Sequence, residues 1–94
     1  MNEAEQLAAL RRRRIVWRAT HRGTKEADML VGGFCERYVD EMSEAEMRWF
    51  EALLDEQDVD IMAWAFGKAD VPEEFDGAMM ERMKRLDYIR LVPR

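Results

Sequence analysis

The stretch Ser43-Glu44-Ala45-Glu46-Met47-Arg48-Trp49-Phe50-Glu51-Ala52-Leu53-Leu54 opens with a capping box and continues as a one-sided helix. The Ser43 hydroxyl is placed to accept the Glu46 backbone N–H, and the Glu46 carboxylate to accept that of Ser43. Met47, Phe50, Leu53 and Leu54 then recur at helical spacing, which predicts an inward stripe ending around Asp55 to Gln57.

The same period holds on both sides of this segment. A first helix is predicted from about Glu3 to Thr20 or His21, with Gly23 in the position that closes a helix. A second begins near Thr24, with Glu26 and Asp28 in its first turn, and carries Leu30, Phe34 and Tyr38 on one face. Gly32 and Gly33 interrupt it, each costing roughly 1 kcal/mol of helix propensity relative to Ala, so either another helix packs closely over them or the helix breaks. Asp58 is expected to cap a fourth helix through Ile61, Met62, Trp64, Ala65 and Phe66, apolar enough around its circumference to be buried. Pro72 is expected in the first turn of a fifth, with Phe75, Met79, Met83, Leu86 and Ile89 inside and Arg82, Lys84, Arg85 and Arg90 toward its end. The connections are short, and neither strand pairs nor linkers are visible. The prediction is an all-α, single compact five-helix bundle over residues 1–94, with its core in about 11–90.

Ninety-four residues, 48% of them hydrophobic, suffice for one modest core. Such a core leaves little room for an enclosed catalytic cavity, so a surface function is expected. Cys35 is the only cysteine and His21 the only histidine. That excludes an internal disulfide and a multi-cysteine zinc site, and Cys35 reads as a small buried apolar residue. No glycine-rich phosphate loop occurs. Asp58-x-Asp60 lacks the further calcium ligands that Met62 and Ala69 would have to supply. No catalytic group, metal or stably bound cofactor is therefore expected. The longest apolar run is far too short for a membrane span, and no targeting signal is legible, which suggests a cytoplasmic chain of bacterial type. The eight methionines and Trp64 read as core, whereas Trp17 and Trp49 are open between core and surface.

The net charge of −5 is segregated. Residues 1–25 carry seven Arg/Lys against two acids, residues 26–81 three against seventeen, and residues 82–94 five against one. The N-terminal basic patch suits phosphates, but the acidic middle repels them, so nucleic acid is the lesser reading. Arg14, Arg18 and Arg22 fall at i, i+4 and i+8 and predict a basic ridge rising to the turn Arg22-Gly23-Thr24-Lys25-Glu26. There a bare glycine flanked by opposite charges allows close approach of a partner. The partner-binding residues expected from this pattern are Arg22, Gly23, Glu26, Arg18, Arg14 and Lys25.

The turn also carries a resemblance. Arg22-Gly23-Thr24-Lys25-Glu26 is similar to the R-G-x-x-E motif of the succinate dehydrogenase assembly factors of the SdhE type. The approach Arg14-Ile15-Val16-Trp17, together with Asp28, Phe34, the Ser43–Glu46 cap, Phe50–Leu54 and Asp58 through Trp64, extends the likeness over roughly residues 11–90. The resemblance implies a non-enzymatic five-helix factor that binds the flavoprotein subunit of succinate dehydrogenase, and in some bacteria fumarate reductase; a monomer is expected. It also implies that the factor promotes covalent attachment of FAD, the FAD being the client's. Arg22, Gly23 and Glu26 are the client-contacting positions it implies. Ala27 and Gly32-Gly33 depart from the family's bulkier residues. A small helical adaptor, or a nucleic-acid-binding regulator using the arginine patch, is the alternative.

Overall fold

A computed structural model describes residues 2–89 of the chain; Arg90, expected on the fifth helix, lies outside them. Five helices account for the described fold. The first, α1 (Glu3–Thr20), is capped by Asn2, whose side chain accepts the Glu5 N–H. The second, α2 (25–38), is one continuous rod made of an α-helical turn (Lys25–Ala27), a π-helical segment (Asp28–Gly32) and a further α-helical stretch (Gly33–Tyr38). A 3-10 turn (Val39–Glu41) leads to α3 (Glu44–Leu54), followed by α4 (Asp58–Ala65) and α5 (Ala78–Lys84).

The expected capping box is present with both hydrogen bonds made, and Met47, Phe50, Leu53 and Leu54 of α3 are buried. Phe34 of α2 is the hub of the core. Its ring lies 4.9 Å from that of Tyr38, 5.6 Å from Phe50 and 5.3 Å from Tyr88, the last edge-on. Met79, Met80 and Met83 fill the space beneath, as their helical spacing predicts. Trp64 is buried, and Trp49 is half-buried with its indole N–H donating to the Phe75 carbonyl at 3.3 Å. Burial pushes the Cys35 thiol up to about 12, which keeps it protonated and unreactive near neutral pH.

Close packing, and not a break, explains the paired glycines. A Cβ on Gly32 would stand 3.2 Å from the Ala19 carbonyl oxygen and 3.2 Å from the Thr20 methyl, so α1 crosses α2 where no side chain intervenes. Gly33 abuts the Tyr88 ring. The helix widens into its π segment at the same place, carrying Leu30, Val31 and Gly32 inward in succession.

Three expectations need correction. The fifth helix begins at Ala78 and not at Pro72, because Gly77 adopts φ +140°, a conformation outside any helix, and Glu73–Phe75 form a separate 3-10 turn. The fourth helix is not buried all round. Val59 is 70% exposed and Phe66 45%, since α4 buries Ile61, Trp64 and Ala65 and covers Met62 only in part. Nor does Asp58 cap it; Gln57 holds the cap position without a side-chain hydrogen bond.

Gly32→Val is expected to lower stability by roughly 1–3 kcal/mol, because the added groups meet the Ala19 carbonyl and the Thr20 backbone as well as the Thr20 methyl. Urea unfolding reads this, and an unchanged midpoint would disprove the close crossing. The backbone of Ser43 and then Arg82 hold the Glu46 carboxyl below its ordinary range. A lowered folded-state value contributes stability above the ordinary carboxylate value, and that contribution is lost as pH falls through the folded value. Glu46→Gln should therefore separate from wild type in unfolding midpoint at neutral pH, and the two should converge in acid.

Candidate functional site

The turn between α1 and α2 is built around Arg22. Its backbone N–H donates to Asp28 Oδ1 at 2.6 Å, tying the turn to the first residues of α2. Its guanidinium points back into the bundle and is only 11% exposed. Nε donates to Asp58 Oδ1 at 2.8 Å, Nη1 to the Leu54 carbonyl at 2.9 Å and Nη2 to the Glu56 carbonyl at 3.0 Å. Two of these acceptors lie at or just beyond the C-terminus of α3, where helix carbonyls have no intrahelical donors, and the third opens α4. One planar fork thus joins two helix ends, a geometry an ammonium would not reproduce.

The three arginines expected on one ridge differ in their surroundings. Arg14 is exposed and makes no ion pair among the described residues. Arg18 is half-buried and paired with Asp55, the residue that caps the end of α3. Arg22 is turned inward. Gly23, Lys25 and Glu26 are exposed together at the rim. Gly23 has φ +106° with open space where a Cβ would stand, so a side chain there would strain the backbone without meeting a neighbour. The Thr24 hydroxyl accepts the Ala27 N–H and caps α2. Glu26, in the first turn of α2, carries no side-chain hydrogen bond among the described residues.

Beside the turn runs an open groove of about 710 Å³. Thr24, Lys25 and Met29 form one side, and Gly33 and Tyr88 its apolar end. Groups that sequence reasoning did not assign to the site help to shape it. Asp28 anchors the turn, and its signal was its place two residues after Glu26 in the resembling pattern. The Leu54 and Glu56 carbonyls carry no side-chain signal at all. Trp17, left open above, is 61% exposed and stacks on His21, with ring centroids 4.5 Å apart. Among the described residues no group of three or more His, Cys, Asp or Glu is placed to hold a metal ion, and no helix is long and apolar enough to cross a membrane.

The turn thus presents exposed backbone between opposite charges on a small all-helical domain. Comparisons with known proteins identify its family. The family described as the flavinator of succinate dehydrogenase, Sdh5, matches residues 13–87. The chain is 42% identical over 87 residues to the FAD assembly factor SdhE of Acetobacter pasteurianus, covering 93% of this chain and 80% of that protein. It is 32% identical to the mitochondrial succinate dehydrogenase assembly factor 2 of Dictyostelium discoideum and 33% identical to that of Scheffersomyces stipitis. These alignments cover 85% and 83% of this chain, but only 56% and 54% of the two mitochondrial proteins, so the chain spans about half their length. The chain belongs to the Sdh5 family of succinate dehydrogenase assembly factors.

Arg22→Ala is expected to cost roughly 2–4 kcal/mol, because it leaves Asp58, 23% exposed, and two helix-end carbonyls without their donor. Arg22→Lys should fall between Ala and wild type. A urea midpoint for Arg22→Ala equal to wild type would show that the arginine is not structural.

Proposed function

We propose that this domain grips the flavoprotein subunit of succinate dehydrogenase through the exposed rim of the turn. It holds the client in the conformer in which FAD becomes covalently attached to a client histidine. The observation that carries this reading is the division of labour within the motif: Arg22 braces the turn from beneath, while Gly23, Lys25 and Glu26 face outward from a fixed backbone. A domain without a catalytic constellation can speed a client's chemistry only by binding one conformer better than another. The FAD belongs to the client, and the factor contributes orientation. The flavoprotein of fumarate reductase is a second client of the same chemistry, and the factor acts as a monomer in the bacterial cytoplasm. The nucleic-acid alternative loses support from the ion pairs. Arg11, Arg18 and Arg22 each meet a carboxylate within the chain, which halves the free positive charge of the six N-terminal arginines.

Glu26 gives the cleaner test, since any substitution at Gly23 also strains the backbone. Glu26→Ala should leave stability within about 0.5 kcal/mol of wild type, as expected for an exposed residue with no structural bond. Covalent flavin on the client should fall sharply in a deletion strain carrying this variant, read by in-gel flavin fluorescence. Parallel losses of melting temperature and client binding would assign Glu26 to the helix and not to the client.

A further inference from the structure

A second surface on α1 lies outside the motif. The cleft between α1 and the end of α2 measures about 420 Å³ and has a mostly apolar lining, with Val16, Val39 and the exposed Trp17 on its walls. Trp17 is held in place: it stacks on His21 at an interplanar angle of 12°, and His21 Nδ1 lies 2.8 Å from the Trp17 carbonyl oxygen. A carbonyl only accepts, so Nδ1 carries the proton and the imidazole is pinned against the indole. An exposed aromatic already ordered loses little conformational freedom when a partner covers it, and tryptophan is prominent among residues that dominate interfaces.

The charge at the cleft has a definite sign. Arg12 and Arg13 stand on its lining against the single acid Asp40. Arg12 Nε is shielded from solvent and has no hydrogen-bond acceptor. Arg13 is exposed and makes no ion pair among the described residues, whereas Arg11, Arg18 and Arg22 are all engaged. A buried donor without an acceptor, beside a free guanidinium and an apolar wall, fits a carboxylate next to an apolar side chain.

We infer that this cleft is a second contact for the flavoprotein client, taking an acidic segment of its surface whose apolar side chain covers Trp17 while its carboxylate meets Arg12 and Arg13. The inference rests on the client named above. The acidic middle of the domain repels an extended polyanion such as nucleic acid far more than it does a single carboxylate on a protein surface.

The test titrates purified apo-flavoprotein subunit of succinate dehydrogenase against the wild-type factor and against Trp17→Ala, Arg13→Glu and Glu26→Ala, with the unfolding midpoint of each variant measured alongside. Trp17→Ala is expected to weaken client binding about tenfold to a hundredfold. Arg13→Glu should weaken it and also reduce its salt dependence. Both residues are exposed, so both variants should fold, and Arg13→Glu alone decides should Trp17→Ala prove unstable. Wild-type affinity in both, with Glu26→Ala weakened, overturns the cleft and leaves the docking turn standing. No binding of the flavoprotein by the wild-type factor overturns the proposed client itself. Two further outcomes overturn the inference if client affinity is unchanged: Trp17-dependent binding of FAD alone, or a Trp17-dependent dimer of the factor in sedimentation.

Discussion

Arg22, just beyond the end of α1, is the residue that ties α1 to the other helices around the turn. Its backbone amide is taken by Asp28 at the start of the π segment, and its side chain reaches the end of α3 and the first residue of α4. Helix ends carry unsatisfied groups that cost free energy when sheltered from water. A single arginine satisfies the acceptor side of one helix end and pairs with a carboxylate at the next. The turn proposed to meet the client is thus held by the same bonds that close the bundle, which fixes its backbone before any partner arrives.

This arrangement changes what the basic character of α1 means. Arg11 joins Glu44 and Glu51, Arg18 joins Asp55 and Arg22 joins Asp58, so one side of α1 is laced to the acidic α3–α4 edge. The charge segregation along the chain is in large part an internal complementarity that orients α1. Exposed pairs of this kind contribute little each, and Arg22, the least exposed of them, is the exception. The arginines left over, Arg12 to Arg14, set the sign of the free surface.

Much of the fold was legible because it rests on local chemistry. The Ser43–Glu46 box, the Thr24 cap and the stripe through Phe50 and Leu54 depend on residues within a few positions of one another, and the structure shows each of them. The Gly32 crossing was legible as one of two options, since a glycine in a helix signals a close approach without naming the neighbour. What escaped were long-range decisions. Helical spacing puts Arg22 on a ridge with Arg14, and nothing local says that carbonyls thirty residues away will turn it inward. The start of α5 at Ala78 was masked by Pro72, a good first-turn residue that the backbone at Gly77 cuts off from the helix. The exposed face of α4 was misjudged because an apolar helix with few acids looks buried from composition alone.

Tyr88 closes the groove beside the motif, resting on Gly33 and on the edge of Phe34, with its hydroxyl donating to the Met83 carbonyl at 2.8 Å. The motif itself lies in the first third of the chain, yet one wall of its groove comes from residue 88. During synthesis the turn therefore emerges from the ribosome long before the surface around it can exist. A nascent chain halted anywhere short of Tyr88 carries the motif without the groove, so the surface beside the motif is completed only with the closing of the core.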